Sequence, residues 1–197
     1  MILISHRVNT VEQLRRTPER YGVEIGLRDD GAHVVLQHDA FKTGERFDEY
    51  LRHYRHRFLI LNLKCEGIEE AVLAAARAHG VDDFFVLDAS IPAMVKLARR
   101  GETRLAVRFS EWEPVELVLA MAPLAQWVWV DCFRDYPPTP AEWETVRRRL
   151  RVCLVSPELQ GREPPERREA AAVVARFHAD AVCSKRPDVW EAAAGAP

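Results

Sequence analysis

Short apolar runs alternate with amphipathic stretches along the whole chain. The strand-like runs cover residues 2–5, 23–27, 33–37, 58–63, 83–87, 104–109, 127–131, 152–155 and 181–183. Most are nearly continuous in Val, Ile, Leu and aromatics, which suits strands covered on both faces. Between them, residues 11–20, 47–56, 68–79, 91–100, 114–121, 140–150 and 165–178 carry apolar positions at helical spacing with charges opposite. Thr10 with Gln13 three residues on predicts a capped helix start, and Thr139-Pro140 places proline in a first turn. Gly80 and Gly101 follow helical runs, where a left-handed residue is wanted.

Repeated strand–helix units with short connections imply a parallel sheet. Asp29-Asp30-Gly31 is a tight-turn signal, so runs 23–27 and 33–37 are read as a hairpin excursion within one unit. Eight strand–helix units then remain, enough to close a compact (β/α)8 TIM barrel; an open doubly wound sheet is the alternative. At 197 residues the chain is short for such a barrel, which usually takes about 250, so its loops must be short. One domain over 1–190 is expected, followed by a low-complexity tail over 191–197.

Composition narrows the function. A net charge of −2 supplies no basic field for nucleic acid and no polybasic membrane anchor. The opening Met1-Ile2-Leu3-Ile4 is too short for a signal peptide, and no stretch approaches the roughly 20 apolar residues of a membrane span, so a cytoplasmic protein with a small soluble partner is expected. The four cysteines, Cys65, Cys132, Cys153 and Cys183, form no CxxC pair and read as small buried hydrophobes.

In a barrel, chemistry gathers at the C-terminal ends of the strands. Those ends here carry His6, Arg7, Asn9, Arg28, Asp29, His38, Asp39, Lys64, Glu66, Asp88, Ser90, Arg108, Ser110, Glu111, Glu113, Asp131, Ser156, Glu158, Lys185 and Arg186. Loops are polar in any protein, so a lone Asp88 or Asp131 reads as a turn cap. Glu24 is different: it lies inside Val23-Glu24-Ile25, where an unpaired carboxylate is costly and must find donors or a cation. Asn62 and Lys64 alternate along one face of an apolar strand and point the same way. Of seven histidines, only His6 and His38 directly follow apolar runs, which suggests an acid/base pair; His53 and His56 on a charged helix, and His79 and His178 near helix ends, are expected to be exposed. Ser110–Glu113 and 156–161 each put a carboxylate beyond a strand end, with Trp112 a candidate platform for a sugar.

Ser5-His6-Arg7, Val23-Glu24-Ile25 and Gln37-His38-Asp39, at this spacing, resemble the first third of the glycerophosphodiester phosphodiesterases, a family of phospholipase-C-like enzymes. The match covers about residues 4–66. The resemblance implies a TIM barrel, a hydrolase of lipid metabolism and a small phosphodiester substrate. It casts His6 and His38 as the two catalytic histidines and Arg7 and Lys64 as phosphate holders; Arg108, a strand-end residue beyond the match, is carried as a third phosphate-binding candidate. Asn62, Glu66, Asp88, Trp112, Glu158 and Lys185 are carried as candidate substrate contacts.

The departures from the family pattern bear on its divalent cation, Mg or Ca, for which Glu24 is the surviving candidate ligand. Val8 replaces a glycine, Gly26 stands where the family has the aspartate of Glu-x-Asp, and Asn62 stands for a glutamate. One carboxylate and one amide make a poor site for a hard cation. Three readings follow: weak metal binding helped by Asp29, Glu66 or Asp88; a cation-independent mechanism with Arg28 or Arg108 supplying the charge, which is favoured; or a barrel that binds a phosphorylated ligand without hydrolysis. A sugar-phosphate isomerase or lyase using Lys64 or Lys185 is a rival from another class.

Overall fold

A computed structural model of the chain describes residues 1–136 and 139–195. Its elements begin β1 (Ile2–Ser5), α1 (Val11–Arg16), β2 (Gly22–Asp29), β3 (Val34–Leu36), β4 (Glu45–Arg46), α2 (Phe47–His53), β5 (Leu59–Leu63), α3 (Glu69–Ala78), β6 (Phe84–Leu87) and α4 (Ile91–Arg99). They continue β7 (Ala106–Phe109), α5 (Val115–Met121), β8 (Trp127–Val130), α6 (Pro140–Arg147), β9 (Arg151–Val155), α7 (Arg167–Phe177), β10 (Ala181–Ser184) and α8 (Pro187–Ala194). The expected order of strands and helices is present. The residues gather into two compact units, His6–Leu105 and a second made of Met1–Ser5 with Ala106–Pro197.

In the unit His6–Leu105, β2, β5 and β6 run parallel, with Gly26 opposite Asn62 and Leu61 opposite Val86. Every residue of β5 and β6 is buried, as the unbroken apolar runs require. The excursion is a true hairpin: β3 pairs antiparallel with β2, and the Asp30 N–H closes the turn on the His33 carbonyl at 3.2 Å. The sequence pattern did not reveal the two-residue β4, which pairs with β3 and has both side chains exposed, hence no apolar signal.

The other unit is an all-parallel sheet in the order β7-β8-β9-β10-β1. Trp127, Val128, Cys153, Leu154, Val182 and Trp190 are among its fully or almost fully buried side chains.

Several boundaries differ from expectation for local reasons. Helix α1 stops at Arg16 because Pro18 pushes Thr17 into an extended conformation (φ −82°, ψ 127°). Helix α2 ends at His53, and His56 is buried rather than exposed, its Nε2 within 2.9 Å of the Thr17 carbonyl; burial lowers its pKa. The low-complexity tail is corrected most. Residues up to Ala194 belong to α8, which buries Trp190 and Ala193; of the expected tail, Ala196 and Pro197 lie outside the described residues. Pro187 in the first turn and the 190/193 spacing were the available signals, masked by the run of alanines.

Trp190 is fully buried and its indole N–H donates to Ser156 Oγ at 3.0 Å. Trp190→Ala is expected to cost about 3–5 kcal/mol, read as a lowered urea midpoint. A midpoint within error of wild type would show that α8 is a dispensable tail.

Candidate active site

The polar centre of the unit His6–Leu105 is built around Glu24, the third residue of β2, whose carboxylate is fully buried. Its environment follows from strand geometry. Glu24 and Gly26 share a face of β2, and Asn62 sits opposite Gly26 on β5, so the Asn62 side chain lies beside the carboxylate. Asn62 Nδ2 donates to Glu24 Oε1 at 2.8 Å. From the other side comes the turn His6-Arg7-Val8. Arg7 takes a left-handed conformation (φ 57°), which brings its backbone N–H to Glu24 Oε2 at 2.8 Å and the Val8 N–H to the Glu24 carbonyl at 2.9 Å. The left-handed residue is therefore Arg7 and not position 8, and Val8 is simply buried.

The two expected histidines meet at this carboxylate. His38 Nε2 lies 3.3 Å from Glu24 Oε1 and His6 Nε2 lies 3.6 Å from Glu24 Oε2, with the ring centroids 6.4 Å apart. His38 reaches Glu24 by lying directly on Gly26. A Cβ at position 26 would stand 2.3 Å from His38 Nδ1, so only glycine leaves room for the ring. Asn9, one of the polar residues that follow the first strand, completes the cluster. Its Oδ1 accepts the Gly26 N–H at 3.0 Å and its Nδ2 contacts His38 Nδ1 at 2.8 Å. The sequence marks Asn9 only as one polar strand-end residue among many, because it precedes the Thr10 cap and also reads as a helix-entry residue.

Electrostatics follow from these contacts. Burial works to raise the Glu24 pKa, but the His38 hydrogen bond, the charges of His6 and His38 and the Asn62 hydrogen bond outweigh it and hold the group at about 2. Glu24 is ionised in the folded protein near neutrality.

The remaining candidates fall as follows. Lys64 and Asp88 form an ion pair at 2.8 Å, each side chain 21% exposed. Arg7 and Glu66 are exposed, and Glu66 lines a cleft of about 260 Å³ with Glu69, Ser90 and Lys96. Arg28 Nε donates to the His38 carbonyl at 3.0 Å. Arg108, Trp112, Glu158 and Lys185 belong to the other unit and make separate clusters there. Arg108, Trp129 and Gln160 all donate to the buried Asp131, whose pKa burial nonetheless pushes up. Glu158 is buried and accepts from Ser156 Oγ, Ser184 Oγ and the Lys185 N–H, while the Lys185 and Trp112 side chains are exposed. The Arg134 guanidinium lies 5.9 Å from the Trp112 ring centre.

A divalent cation does not fit this cluster. Both Glu24 oxygens already face donors of the protein, and the place of a second carboxylate at position 26 is filled by the His38 ring. Asn62 Oδ1 is the one buried oxygen of the cluster that makes no hydrogen bond, and a hard cation takes about six oxygen ligands. Among the described residues, no group of three or more His, Cys, Asp and Glu is arranged to hold a metal ion.

The whole chain is similar in structure to several solved proteins. A glycerophosphodiester phosphodiesterase from Agrobacterium tumefaciens superposes with a TM-score of 0.72 at 16% identity, covering 100% of each chain. A phosphodiesterase from Oleispira antarctica, solved with the product sn-glycerol-3-phosphate, gives 0.72 at 15% identity over 100% of this chain and 97% of that one. A tryptophan synthase α-subunit from Pyrococcus furiosus gives 0.62 at 16% identity over 96% and 93%. No protein-family model and no curated protein sequence matches. The fold is thus the TIM-type β/α class expected from the strand–helix count.

Because the Glu24 pKa lies near 2 when folded against 4.5 unfolded, its ionisation stabilises the protein at every pH above 4.5, and that contribution is lost as the pH falls through 2. The size is about 3 kcal/mol. Urea titrations should therefore show the stability gap between wild type and Glu24→Gln shrinking by that order as the pH is lowered from 4.5 to 2. A gap independent of pH would mean that the carboxylate is not held ionised. Mg²⁺ and Ca²⁺ should produce no concentration-dependent rise in Tm.

Proposed function

We propose that the chain is a phosphoric diester hydrolase, acting without a metal on a small soluble diester linked to glycerol or a sugar. The observation that carries this reading is the pair of imidazoles bracketing one buried, ionised carboxylate, with ring centres 6.4 Å apart. Imidazole is suited to proton transfer near neutrality, and a fixed carboxylate stabilises the imidazolium that such transfer creates. A water or substrate hydroxyl loses its proton to the cluster as its oxygen bonds to phosphorus, and the bond to the leaving alkoxide breaks as that oxygen is protonated. A substrate hydroxyl as attacking group yields a cyclic ester, water an open one.

Arg7 and Lys64 supply positive charge for the non-bridging oxygens, and Lys64 engages substrate by exchanging its contact with Asp88. Asn62 Oδ1 is available to accept a hydrogen bond from a substrate hydroxyl or from water. The likeness to a phosphodiesterase solved with sn-glycerol-3-phosphate supports the choice of substrate class. The net charge of −2 is the reason to exclude nucleic acid as the partner. No helix among the described residues is long and apolar enough to cross a membrane.

A second reading, binding of a phosphate ester without turnover, is favoured by one observation: both ring nitrogens of His38 are engaged within the protein. A Schiff-base enzyme is not favoured, since Lys64 is committed to an ion pair, the opposite of the uncharged amine such chemistry needs.

Bis-(p-nitrophenyl) phosphate and a panel of glycerophosphodiesters should be hydrolysed equally well with and without EDTA. His6→Ala and His38→Ala should each lower kcat by about 10²–10⁴, and His38→Ala, which removes a donor from the buried Glu24, should also lower the urea midpoint. Thermal stabilisation by phosphate esters with no turnover of any diester would establish the second reading instead. Activity surviving either alanine substitution would remove the cluster from the mechanism.

A further inference from the structure

The two histidines are not equivalent, and the reason lies in Asn9. Its amide orientation is not arbitrary: the Gly26 N–H can only donate, so the atom 3.0 Å from it must be Oδ1. Nδ2, which can only donate, is then the atom 2.8 Å from His38 Nδ1. Nδ1 must accept, and the single ring proton of a neutral His38 sits on Nε2, directed at Glu24 Oε1. Both ring nitrogens are thereby used, one as acceptor from Asn9 and one as donor to the carboxylate. A neutral imidazole in this state has no lone pair to take a proton from an attacking hydroxyl, and giving up its Nε2 proton would leave an imidazolate.

We propose that His38 is a positioning residue, locked by Asn9 into the Nε2–H form to hold Glu24, and that His6 alone exchanges protons with the substrate. This rests on the phosphodiesterase reading for its chemistry, but its structural half stands apart from turnover. His38 and Asn62 hold Glu24 Oε1 while the Arg7 N–H holds Oε2, the oxygen that faces His6 Nε2 at 3.6 Å. The carboxylate is clamped at three points and presents one edge to one histidine. Gly26 is part of the same device, because a side chain there would drive the His38 ring off both Asn9 and Glu24.

Proton placement is read directly from the side-chain ¹⁵N spectra of labelled full-length protein. Wild type should show His38 as the Nε2–H tautomer. Asn9→Asp keeps an acceptor for the Gly26 N–H but offers Nδ1 a second acceptor in place of a donor, so it should place a proton on Nδ1. In parallel, His38→Gln, whose amide can still donate to Glu24, should hold kcat within about tenfold of wild type, whereas His6→Gln should be as impaired as His6→Ala. An Nδ1–H tautomer in wild type, no change with Asn9→Asp, or a His38→Gln variant as inactive as His38→Ala would overturn the proposal. The two readings fail separately. A protein that hydrolyses no diester yet shows the expected tautomers sinks only the enzyme reading, and an active enzyme with Nδ1–H on His38 sinks only this one.

Discussion

A carboxylate cut off from water must find its donors inside the protein, and that requirement organises the unit His6–Leu105. Glu24 is fully buried in β2 and ionised, so the turn His6-Arg7-Val8, the neighbouring strand β5 and the residue following the β3 hairpin strand all present donors to it. Each donor fixes a piece of backbone. The left-handed Arg7 shapes the entry into α1, Asn62 fixes the face that β5 turns toward β2, and His38 ties the hairpin excursion back onto the strand it left. Had the carboxylate been neutral, none of these contacts would need to be as close.

The chemistry is a by-product of the same clamp. A carboxylate whose pKa is held near 2 cannot serve as an acid or base near neutrality, but it is a fixed negative charge beside an imidazole. In the proposed reaction the work of moving protons falls to the histidine side. In the other unit the same physics gives a different result. Asp131 and Glu158 are also buried, but they are surrounded by Arg108, Gln160, Trp129, the hydroxyls of Ser156 and Ser184 and a backbone N–H, with no histidine among the partners. Those clusters hold the ends of β8, β9 and β10 in place.

Much of the fold was legible because it depends on features that sequence periodicity records. Strands buried on both faces must be continuous apolar runs, and the hairpin was announced by Asp29-Asp30-Gly31. The helix α8 was not legible: its single large anchor, Trp190, is followed at once by the alanine-rich stretch that composition alone assigns to a tail. For the site, Glu24, His6, His38 and Asn62 could be picked out since each is polar in or beside an apolar run. Asn9 stood out only as one strand-end residue among many, because its role depends on two partners, Gly26 and His38, that are remote in sequence. Likewise, Gly26 read as a missing ligand, whereas its bare backbone is what admits a neighbouring ring. Such a role shows only when strand and hairpin are seen together.

That ring over Gly26 also constrains what position 26 can carry. An aspartate placed at position 26 would not by itself create a cation site, since the imidazole already fills the space its Cβ needs. The His38 ring would have to move aside, which would strip Glu24 of one of its donors. Position 26 is thereby coupled to the carboxylate two residues away: any side chain placed there is felt at Glu24 through His38.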